Sequence, residues 1–179
     1  LVDSLDGLAA YPPTAGPDAL REAIAGWLRQ RFGLKEVRAS DQVLPVTGSR
    51  EALFAFAQAA VDASRPGATV VLPNPFYQIY EGGALLAGAV PHYVNAVAAN
   101  GWRHDWESVP DDVWARTQLL YFCSPDNPTG RVAGLEEWRR LFELADRHGF
   151  VIASDECYSE VYFDEDAPPL GALGAARRL

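Results

Sequence analysis

The sequence predicts an α/β fold, a three-layer α/β/α sandwich built on a mostly parallel sheet. Short, almost purely apolar segments alternate along the chain with longer segments of helical periodicity. Strands of a parallel sheet that is covered on both faces have that apolar character. The chain has 179 residues and is 49% hydrophobic, so it can bury a sizeable core.

Five short segments have the apolar composition of strands: 43–47, 69–72, 90–94, 119–122 and 150–154. Helical periodicity predicts helices over 18–32, 78–87 and 135–148, each followed by a glycine that can end it. A further helix begins after the turn at 48–51 and ends near Asp62. After Tyr162 the pattern dissolves. We therefore predict an N-terminal segment, 1–17, and a large domain, 18–179, that is incomplete at its C-terminal end.

The charge of the chain argues against a polyanionic partner. Its formal net charge is -9 and its pI is about 4.7, whereas nucleic-acid-binding proteins concentrate Lys and Arg on one face. The 179 residues contain no signal-like segment and no apolar run long enough to span a bilayer. The sequence thus predicts a soluble, cytoplasmic protein without a nucleic-acid or membrane partner.

Two further features concern the extent of the chain. Methionine is absent and the chain begins at Leu1, so we expect it to be a piece of a longer protein. Lys35 is its only lysine.

Two polar segments follow neighbouring strands of the predicted sheet. Residues 124–130 follow the strand 119–122, and residues 155–158 follow the strand 150–154. If these strands are parallel neighbours, a right-handed crossover through the helix 135–148 brings both polar segments to the same edge of the sheet. Open α/β folds bind ligands at that edge, which makes it the candidate active site.

Gly48, Ser49 and Arg50 lie between a predicted strand and a helix. The first backbone N–H groups of that helix are unpaired and its dipole favours an anion, so this turn can bind a phosphate. The alternative is structural: a turn glycine followed by Ser49 as the N-cap of the helix. The tripeptide alone leaves both interpretations open.

Four more candidates have a functional and a structural interpretation. Asp155 can meet a protonated ring nitrogen, or it can cap a turn or pair with an arginine. Asn127 can present its amide to a ligand oxygen, or it can serve only the turn. Tyr77 can stack on a flat ring or pack in the core. Tyr158 can hydrogen-bond the same ligand or cover the edge of its strand.

These candidates lie at the carboxyl ends of predicted parallel strands. A phosphate-binding turn, an aromatic plate, an asparagine and an aspartate together describe a pocket for a flat, phosphorylated, nitrogen-containing ring. Cys123 and Cys157 flank the pocket, and burial explains them more simply than reactivity, since no His or metal-ligand spacing accompanies them. The sequence predicts no metal site.

Five ordered motifs along nearly the whole chain resemble those of the class I/II aminotransferases, the pyridoxal-phosphate enzymes of fold type I. The motifs are Tyr11-Pro12-Pro13-Thr14-Ala15-Gly16 with Leu20-Arg21, Thr47-Gly48-Ser49-Arg50-Glu51-Ala52-Leu53, Pro73-Asn74-Pro75-Phe76-Tyr77, Ser124-Pro125-Asp126-Asn127-Pro128-Thr129-Gly130 and Ser154-Asp155-Glu156-Cys157-Tyr158. The resemblance implies the large domain of that fold, truncated, with pyridoxal 5′-phosphate (PLP) as the cofactor and transamination as the activity.

The resemblance also implies a cofactor contact for each matching residue. Asp155 would hold the pyridine nitrogen protonated, which makes the ring an electron sink for the carbanion that forms when the substrate loses its α-proton. Asn127 and Tyr158 would hydrogen-bond the phenolic oxygen of the ring, and Tyr77 would stack on the ring. The phosphate would be held by Gly48, Ser49 and Arg50.

A partner subunit and a substrate class follow from the same resemblance. Tyr11 would reach the phosphate of the neighbouring subunit, so a homodimer with shared sites is implied. The segment from Pro73 to Ala89 looks most like bacterial succinyldiaminopimelate aminotransferases of lysine biosynthesis. The implied reaction moves an amino group between an amino acid such as glutamate and a keto acid, with N-succinyl-2-amino-6-ketopimelate as one candidate.

One catalytic group of the family does not match any residue of the sequence. The family requires a lysine that forms a Schiff base with the cofactor and lies downstream of the Asp-Glu-x-Tyr motif. Lys35 lies far upstream of that motif. We expect the Schiff-base lysine, and the arginine that grips the substrate carboxylate, beyond Leu179. The chain alone is therefore predicted to bind the cofactor weakly and to be inactive.

Two other functions would use the same fold. A PLP-dependent carbon–sulfur β-lyase would share all the cofactor contacts, and the effector domain of a transcription regulator would carry a basic winged helix upstream. A nucleotide-binding α/β domain is disfavoured because the sequence has no Gly-x-Gly-x-x-Gly or Gly-x-x-x-x-Gly-Lys loop.

Overall fold

The computed structural model describes residues 2–179, and of residues 3 and 4 the backbone alone. It divides into two compact units, one that ends at Val46 and one that spans Thr47–Leu179. Each unit has apolar clusters of its own. The domain boundary predicted after residue 17 stays a prediction.

The first unit is helical. It contains a 3₁₀ helix, Val2–Ala9, and the α-helices α1 (Asp18–Phe32) and α2 (Ala39–Gln42). α1 ends at Gly33, as predicted, where the backbone adopts a positive φ of 65° and the N–H of Gly33 donates to the carbonyl of Arg29. A small apolar cluster forms its core: Ala25, Val37, Ala39 and Val43.

The prediction of a strand over 43–47 is wrong. These residues have irregular backbone, and Pro45 in the middle of the segment has no N–H to donate to a neighbouring strand. The carbonyl of Val43 instead accepts a hydrogen bond from Nε of the buried Arg21 (3.2 Å). A side chain therefore satisfies the backbone group that a ladder would have satisfied.

The second unit is built on four strands: β1 (Thr69–Asn74), β2 (Val90–Asn95), β3 (Thr117–Cys123) and β4 (Val151–Asp155). Their order in the sheet is β2-β1-β3-β4, and each neighbouring pair is parallel. β3 and β4 are neighbours, as the crossover argument requires, and Cys123 lies opposite Asp155. The carboxyl ends of these two strands are therefore side by side.

Helices cover both faces of the sheet. They are α3 (Ser49–Ala60), α4 (Gln78–Leu86), α5 (Asp111–Trp114), α6 (Leu135–His148) and α7 (Ala172–Arg178), with 3₁₀ turns at Ala98–Asn100 and Trp106–Ser108. Leu72 and Tyr121 belong to the core formed with α3 and α4. On the opposite face, Leu120 and Phe122 belong to the core that contains Trp138 of α6. This confirms the predicted α/β/α layers.

α7 lies in the segment after Tyr162 where the sequence predicts no regular structure, so that prediction is wrong for residues 172–178. The carboxylate of Glu156 accepts a hydrogen bond from the N–H of Ala172 (2.8 Å) at the start of the helix. Just before it, the carbonyl of Leu170 accepts one from Nε1 of Trp138 (3.2 Å). Contacts with distant residues therefore hold this helix in place.

None of the helices within residues 2–179 combines the length and the apolar character that crossing a bilayer requires.

Candidate active site

The carboxyl ends of β3 and β4 and the N-terminal ends of α3 and α4 surround a cavity of about 340 Å³, called the site cavity below. Its lining residues are Ser49, Tyr77, Tyr80, Cys123, Asn127, Asp155, Cys157 and Tyr158. Five of them are the sequence-predicted candidates Ser49, Tyr77, Asn127, Asp155 and Tyr158. The fold thus brings together residues from four separate segments of the chain.

The other three candidates do not line the site cavity. Gly48 and Arg50 flank Ser49 at the start of α3. Tyr11 belongs to the first unit, where its side chain is fully exposed.

The start of α3 contradicts the structural interpretation of Ser49, in which its side chain caps the helix. Gly48 is the N-cap of the helix, with φ 142° and ψ 139°, and Ser49 is the first helical residue. That φ lies in a region that side chains rarely adopt, and a Cβ on Gly48 would lie 2.8 Å from a carboxylate oxygen of Glu51. Because Gly48 occupies the N-cap position, Ser49 does not cap the helix, and its side chain lines the site cavity.

Asp155 is a buried carboxylate with unused acceptor positions. It is 7% exposed. Its Oδ2 accepts a hydrogen bond from the hydroxyl of Tyr80 (2.6 Å), and its Oδ1 accepts one from the N–H of Cys157 (3.2 Å). A carboxylate can accept about four hydrogen bonds, so room remains for a further donor.

Asp155 had two structural alternatives, to cap a turn or to pair with an arginine, and the structure supports only the first. It does cap a turn, through the N–H of Cys157. Among residues 5–179, however, no Lys, Arg or His side chain forms an ion pair with it. Within the described chain the carboxylate thus has no cationic partner, and a cationic ligand atom would supply one.

Tyr80 is the functional candidate that the sequence did not predict. Its ring is 1% exposed and stacks on Tyr121, with centroids 4.7 Å apart and planes 9° apart. The hydroxyl of Tyr121 in turn donates to the carbonyl of Leu53 (2.5 Å). Burial and the hydrogen bond to Asp155 raise the pKa of Tyr80, so its hydroxyl stays a neutral donor. The only signal in the sequence is its spacing of three residues from Tyr77.

Asn127 sits on a loop that is closed without its side chain. The N–H of Asp126 donates to the carbonyl of Arg131 (2.8 Å), and the N–H of Gly130 donates to the carbonyl of Asp126 (2.8 Å). The loop is joined to β4 because the N–H of Ser124 donates to the carbonyl of Asp155 (3.1 Å). In the part of the chain that the structure describes, the side-chain amide of Asn127 has no hydrogen-bond partner and remains available to a ligand.

Tyr77 and Tyr158 stand on two other elements around the site cavity. Tyr77 is the N-cap residue of α4, and its half-buried ring meets the ring of Tyr80 edge-on, with centroids 6.0 Å apart. Tyr158 follows β4 and is 41% exposed. Both rings can therefore contact a ligand that enters the cavity.

The two thiols at the site cavity differ in exposure. Cys123 is buried and Cys157 is exposed, so the expectation of burial holds for the first only. Desolvation raises the pKa of Cys123 to about 12 and that of Cys157 to about 11, and the charge of Asp155 adds to both shifts. Both thiols therefore stay protonated at neutral pH, which makes them weak nucleophiles.

The arrangement fits a flat, phosphorylated, nitrogen-containing ring. The buried carboxylate of Asp155 suits a protonated ring nitrogen, and the ring of Tyr77 suits a stacking contact. The first turn of the 12-residue helix α3 offers unpaired N–H groups to a phosphate. The residues present thus match the chemical groups of PLP.

Comparisons with known proteins point to one family. The family model of aminotransferase class I and II matches residues 3–178. The LL-diaminopimelate aminotransferase of Desulforudis audaxviator is 37% identical over 159 residues, which are 89% of this chain and 40% of that protein.

Solved structures of two aminotransferases agree in fold. The aminotransferase from Neisseria meningitidis is 48% identical with a TM-score of 0.93, and the match covers 99% of this chain and 44% of that one. The aminotransferase AspB from Helicobacter pylori is 34% identical with a TM-score of 0.87, over 98% of this chain and 45% of that one. The chain spans less than half the length of each of these proteins.

Proposed function

Because the chain belongs to the class I and II aminotransferases, a PLP-dependent family, we propose that it is the part of a transaminase that holds the cofactor ring. One observation carries this proposal. Asp155 is a buried carboxylate at the site cavity, and no cationic side chain among the described residues pairs with it. A protonated pyridine nitrogen is the partner that its position suits.

Six of the eight residues that line the site cavity have a defined part in this function. Asp155 keeps a proton on the ring nitrogen, and Tyr80 holds the carboxylate in place through its hydroxyl. Tyr77 covers a face of the ring and excludes water from it. Asn127 and Tyr158 hydrogen-bond the phenolic oxygen. When bound, PLP supplies the electron sink that lets an amino group move between an amino acid and a keto acid.

The start of α3 is the proposed phosphate site. The N–H groups of its first turn are unpaired and lie at the positive end of the helix dipole. Arg50 adds an exposed guanidinium that can bind two phosphate oxygens at once. Gly48 permits the sharp entry into the helix, and the hydroxyl of Ser49 lines the site cavity.

Other parts of the active protein are proposed to come from outside these residues. The lysine that binds the cofactor is proposed to lie beyond Leu179, since Lys35 is the only lysine in the sequence and does not line the site cavity. Tyr11 is proposed to contact the phosphate held by the second subunit of a homodimer. A cytoplasmic location is part of the same proposal.

The proposed reaction belongs to lysine biosynthesis. Glutamate is the amino donor, and the acceptor is the keto acid that becomes diaminopimelate when it receives the amino group. The relative from Desulforudis audaxviator supports the substrate class, because it is an LL-diaminopimelate aminotransferase. N-succinyl-2-amino-6-ketopimelate is the second acceptor to test. The names of the relatives favour transamination over β-lyase chemistry.

An assay in the reverse direction tests this function. The complete protein that carries this chain is incubated with PLP, 2-oxoglutarate and either LL-diaminopimelate or N-succinyl-LL-diaminopimelate, and glutamate is measured. A parallel reaction with cystathionine measures pyruvate. We expect glutamate to form with one of the two donors, and the rate to fall by about a hundredfold or more in Asp155→Asn.

The matched control is Glu165→Gln, which removes an exposed carboxylate outside the site cavity and should keep full activity. Pyruvate release without glutamate formation would show a β-lyase instead. Turnover that does not depend on PLP would contradict the proposal as a whole.

A further inference from the structure

Three metal-binding side chains meet at one end of the site cavity. The β3–β4 ladder sets Cys123 opposite Asp155. The hydrogen bond from the N–H of Cys157 to Oδ1 of Asp155 (3.2 Å) folds the chain back after β4, so that Cys157 also faces this end. As a result, the two sulfur atoms and a carboxylate oxygen all lie within 4.8 Å of one another.

The spacing of these atoms is close to that of a tetrahedral metal site. With metal–sulfur bonds of about 2.3 Å, two thiolate ligands of one zinc ion lie about 3.8 Å apart. Cys157 is exposed, so its side chain can rotate to close the difference, whereas Cys123 is fixed by burial. Each thiol releases its proton to water when the metal–sulfur bond forms, and Cys123 then gives up the S–H that it donates to the carbonyl of Pro125 (3.2 Å) in the metal-free protein. One mobile and two fixed ligands make the adjustment small.

The donor set and its charge favour a soft cation. Thiolate sulfur prefers zinc and related thiophilic metals over magnesium or calcium. Asp155 contributes a carboxylate without a cationic partner among the described residues. Three protein ligands and one water complete a four-coordinate site, and the exposed side of Cys157 gives the ion a way in.

From this geometry we infer that Cys123, Cys157 and Asp155 bind one thiophilic divalent cation, such as Zn²⁺ or Cd²⁺, when PLP is absent. The cation and the cofactor exclude each other, because both need the free acceptor positions of Asp155. This second part rests on the proposed function, which places the ring nitrogen at Asp155. Loading of the cofactor would therefore compete with metal binding.

A cadmium titration tests the site. The complete protein that carries this chain is freed of PLP, kept reduced with a phosphine and titrated with Cd²⁺, while the ultraviolet absorption of cadmium–thiolate bonds is recorded. We expect one Cd²⁺ per chain to bind to these ligands. Cys123→Ser and Cys157→Ser should each weaken that binding by more than about tenfold, since even the loss of an outer partner of a metal ligand costs 10- to 100-fold.

Two controls make the result specific. Serine keeps a small hydroxyl donor in place of the S–H of Cys123, and far-ultraviolet circular dichroism confirms that each variant folds. Glu165→Gln removes an exposed carboxylate elsewhere and should leave Cd²⁺ affinity unchanged. Thiolate absorption that persists with the same affinity in both serine variants would overturn the site.

Competition with the cofactor tests the second part. PLP bound beforehand should suppress the Cd²⁺ signal, and PLP added to the cadmium form should release the metal. Full binding of both ligands at once would overturn the exclusion. If the metal-free protein does not bind PLP, the proposed function fails, and the cadmium titration with its serine variants still decides the metal site by itself.

Discussion

The hydroxyl of Tyr80 fixes the orientation of the carboxylate of Asp155 before any ligand binds. The hydrogen bond is 2.6 Å long and buried. The ring of Tyr80 is stacked on the ring of Tyr121, which restricts its rotation. The ring of Tyr121 is held in turn because its hydroxyl donates a hydrogen bond to the carbonyl of Leu53. A carboxylate held in this way loses little freedom on binding a cationic partner, which favours affinity.

The first prediction concerns Tyr80→Phe, which keeps the ring and removes the donor. We expect PLP to bind at least about tenfold more weakly, because a hydrogen bond to a charged group contributes roughly 1.5–3 kcal/mol and about 1.4 kcal/mol is a factor of ten. Equilibrium dialysis of the complete apoprotein against PLP measures this. Tyr93→Phe is the matched control, since the hydroxyl of Tyr93 donates to Glu81 and does not line the site cavity. Equal affinities in the two variants would contradict the role of Tyr80.

His104 makes the stability of the second unit sensitive to acid. It is 6% exposed and contacts the rings of Trp106 and Phe122. Among the described side chains neither of its ring nitrogens has a hydrogen-bond partner. Burial lowers its pKa more than the charges of Asp126 and Glu137 raise it. The unfolded chain therefore takes up the proton first.

The second prediction follows from the lowered pKa of His104 in the folded chain. The stability that the neutral form of His104 contributes is complete above the ordinary histidine pKa near 6.5 and is lost as the pH falls through the lower folded value. Urea denaturation between pH 7.5 and 5 should show this loss, with a slope of at most about 1.4 kcal/mol per pH unit. His104→Gln should reduce the slope. Parallel pH profiles for the variant and the parent would refute this account.

Residues at the ends of strands were the ones that the sequence could predict. Asp155 and Asn127 were predicted because each follows an apolar strand, a position that is readable from chain order. Tyr80 was missed because its role depends on a contact between residues 75 positions apart, which brings α4 over the end of β4. No local pattern encodes that contact.

At the scale of elements, the start of α3 depends on glycine. Gly48 and Gly134 are the N-caps of α3 and α6, but only Gly48 has a positive φ, 142° against −85°. A Cβ on Gly48 would meet only the carboxylate end of the flexible Glu51 side chain, which can move, and a Cβ on Gly134 would meet nothing within 4 Å, so the difference between the two positions lies in φ. The two positions therefore form a matched pair of glycine N-caps that differ in φ.

The third prediction compares Gly48→Ala with Gly134→Ala. Both remove a glycine N-cap, so the difference between them reports the backbone strain at Gly48. We expect Gly48→Ala to lower the free energy of unfolding by about 1–3 kcal/mol more than Gly134→Ala, as measured by urea denaturation. PLP affinity should fall in Gly48→Ala alone. Equal losses of stability would mean that the turn before α3 tolerates a side chain.

α6 and α7 show which helices a sequence can predict. α6 was predicted with its observed bounds, because Trp138, Leu141 and Leu144 recur on its buried face and Gly149 ends it at a φ of 75°. The buried residues of α7 are Gly174 and Ala175. Residues this small produce no amphipathic pattern, so α7 could be found only from its contacts in the folded chain.

At the scale of the whole molecule, the sheet topology was predictable in part. The parallel adjacency of β3 and β4, which the crossover argument assumed, is confirmed by the structure. The central position of β1 was not predictable, because apolar strands of similar composition carry no signal for their order. β2 is an edge strand, and for that reason its Val90 and Tyr93 side chains are exposed.

The fourth prediction concerns the chain on its own. Residues 1–179 contain one lysine, Lys35, and it does not line the site cavity. With 2-oxoglutarate and each of the two diaminopimelate donors named above, we expect this chain, expressed alone, to form no glutamate above the rate with free PLP, whereas the complete protein forms it with one of the donors. Coupled glutamate detection measures both. Turnover by the chain alone would show that another residue performs the task assigned to the missing lysine.

The structure of the complete protein with PLP bound tests the central claim most directly. We predict that the pyridine nitrogen lies within hydrogen-bond distance of Asp155, at about 2.7–2.9 Å as in other charge-assisted pairs. Tyr80 should keep its hydrogen bond to the same carboxylate. A ring nitrogen that faces solvent or another residue, with Asp155 out of contact, would contradict the account.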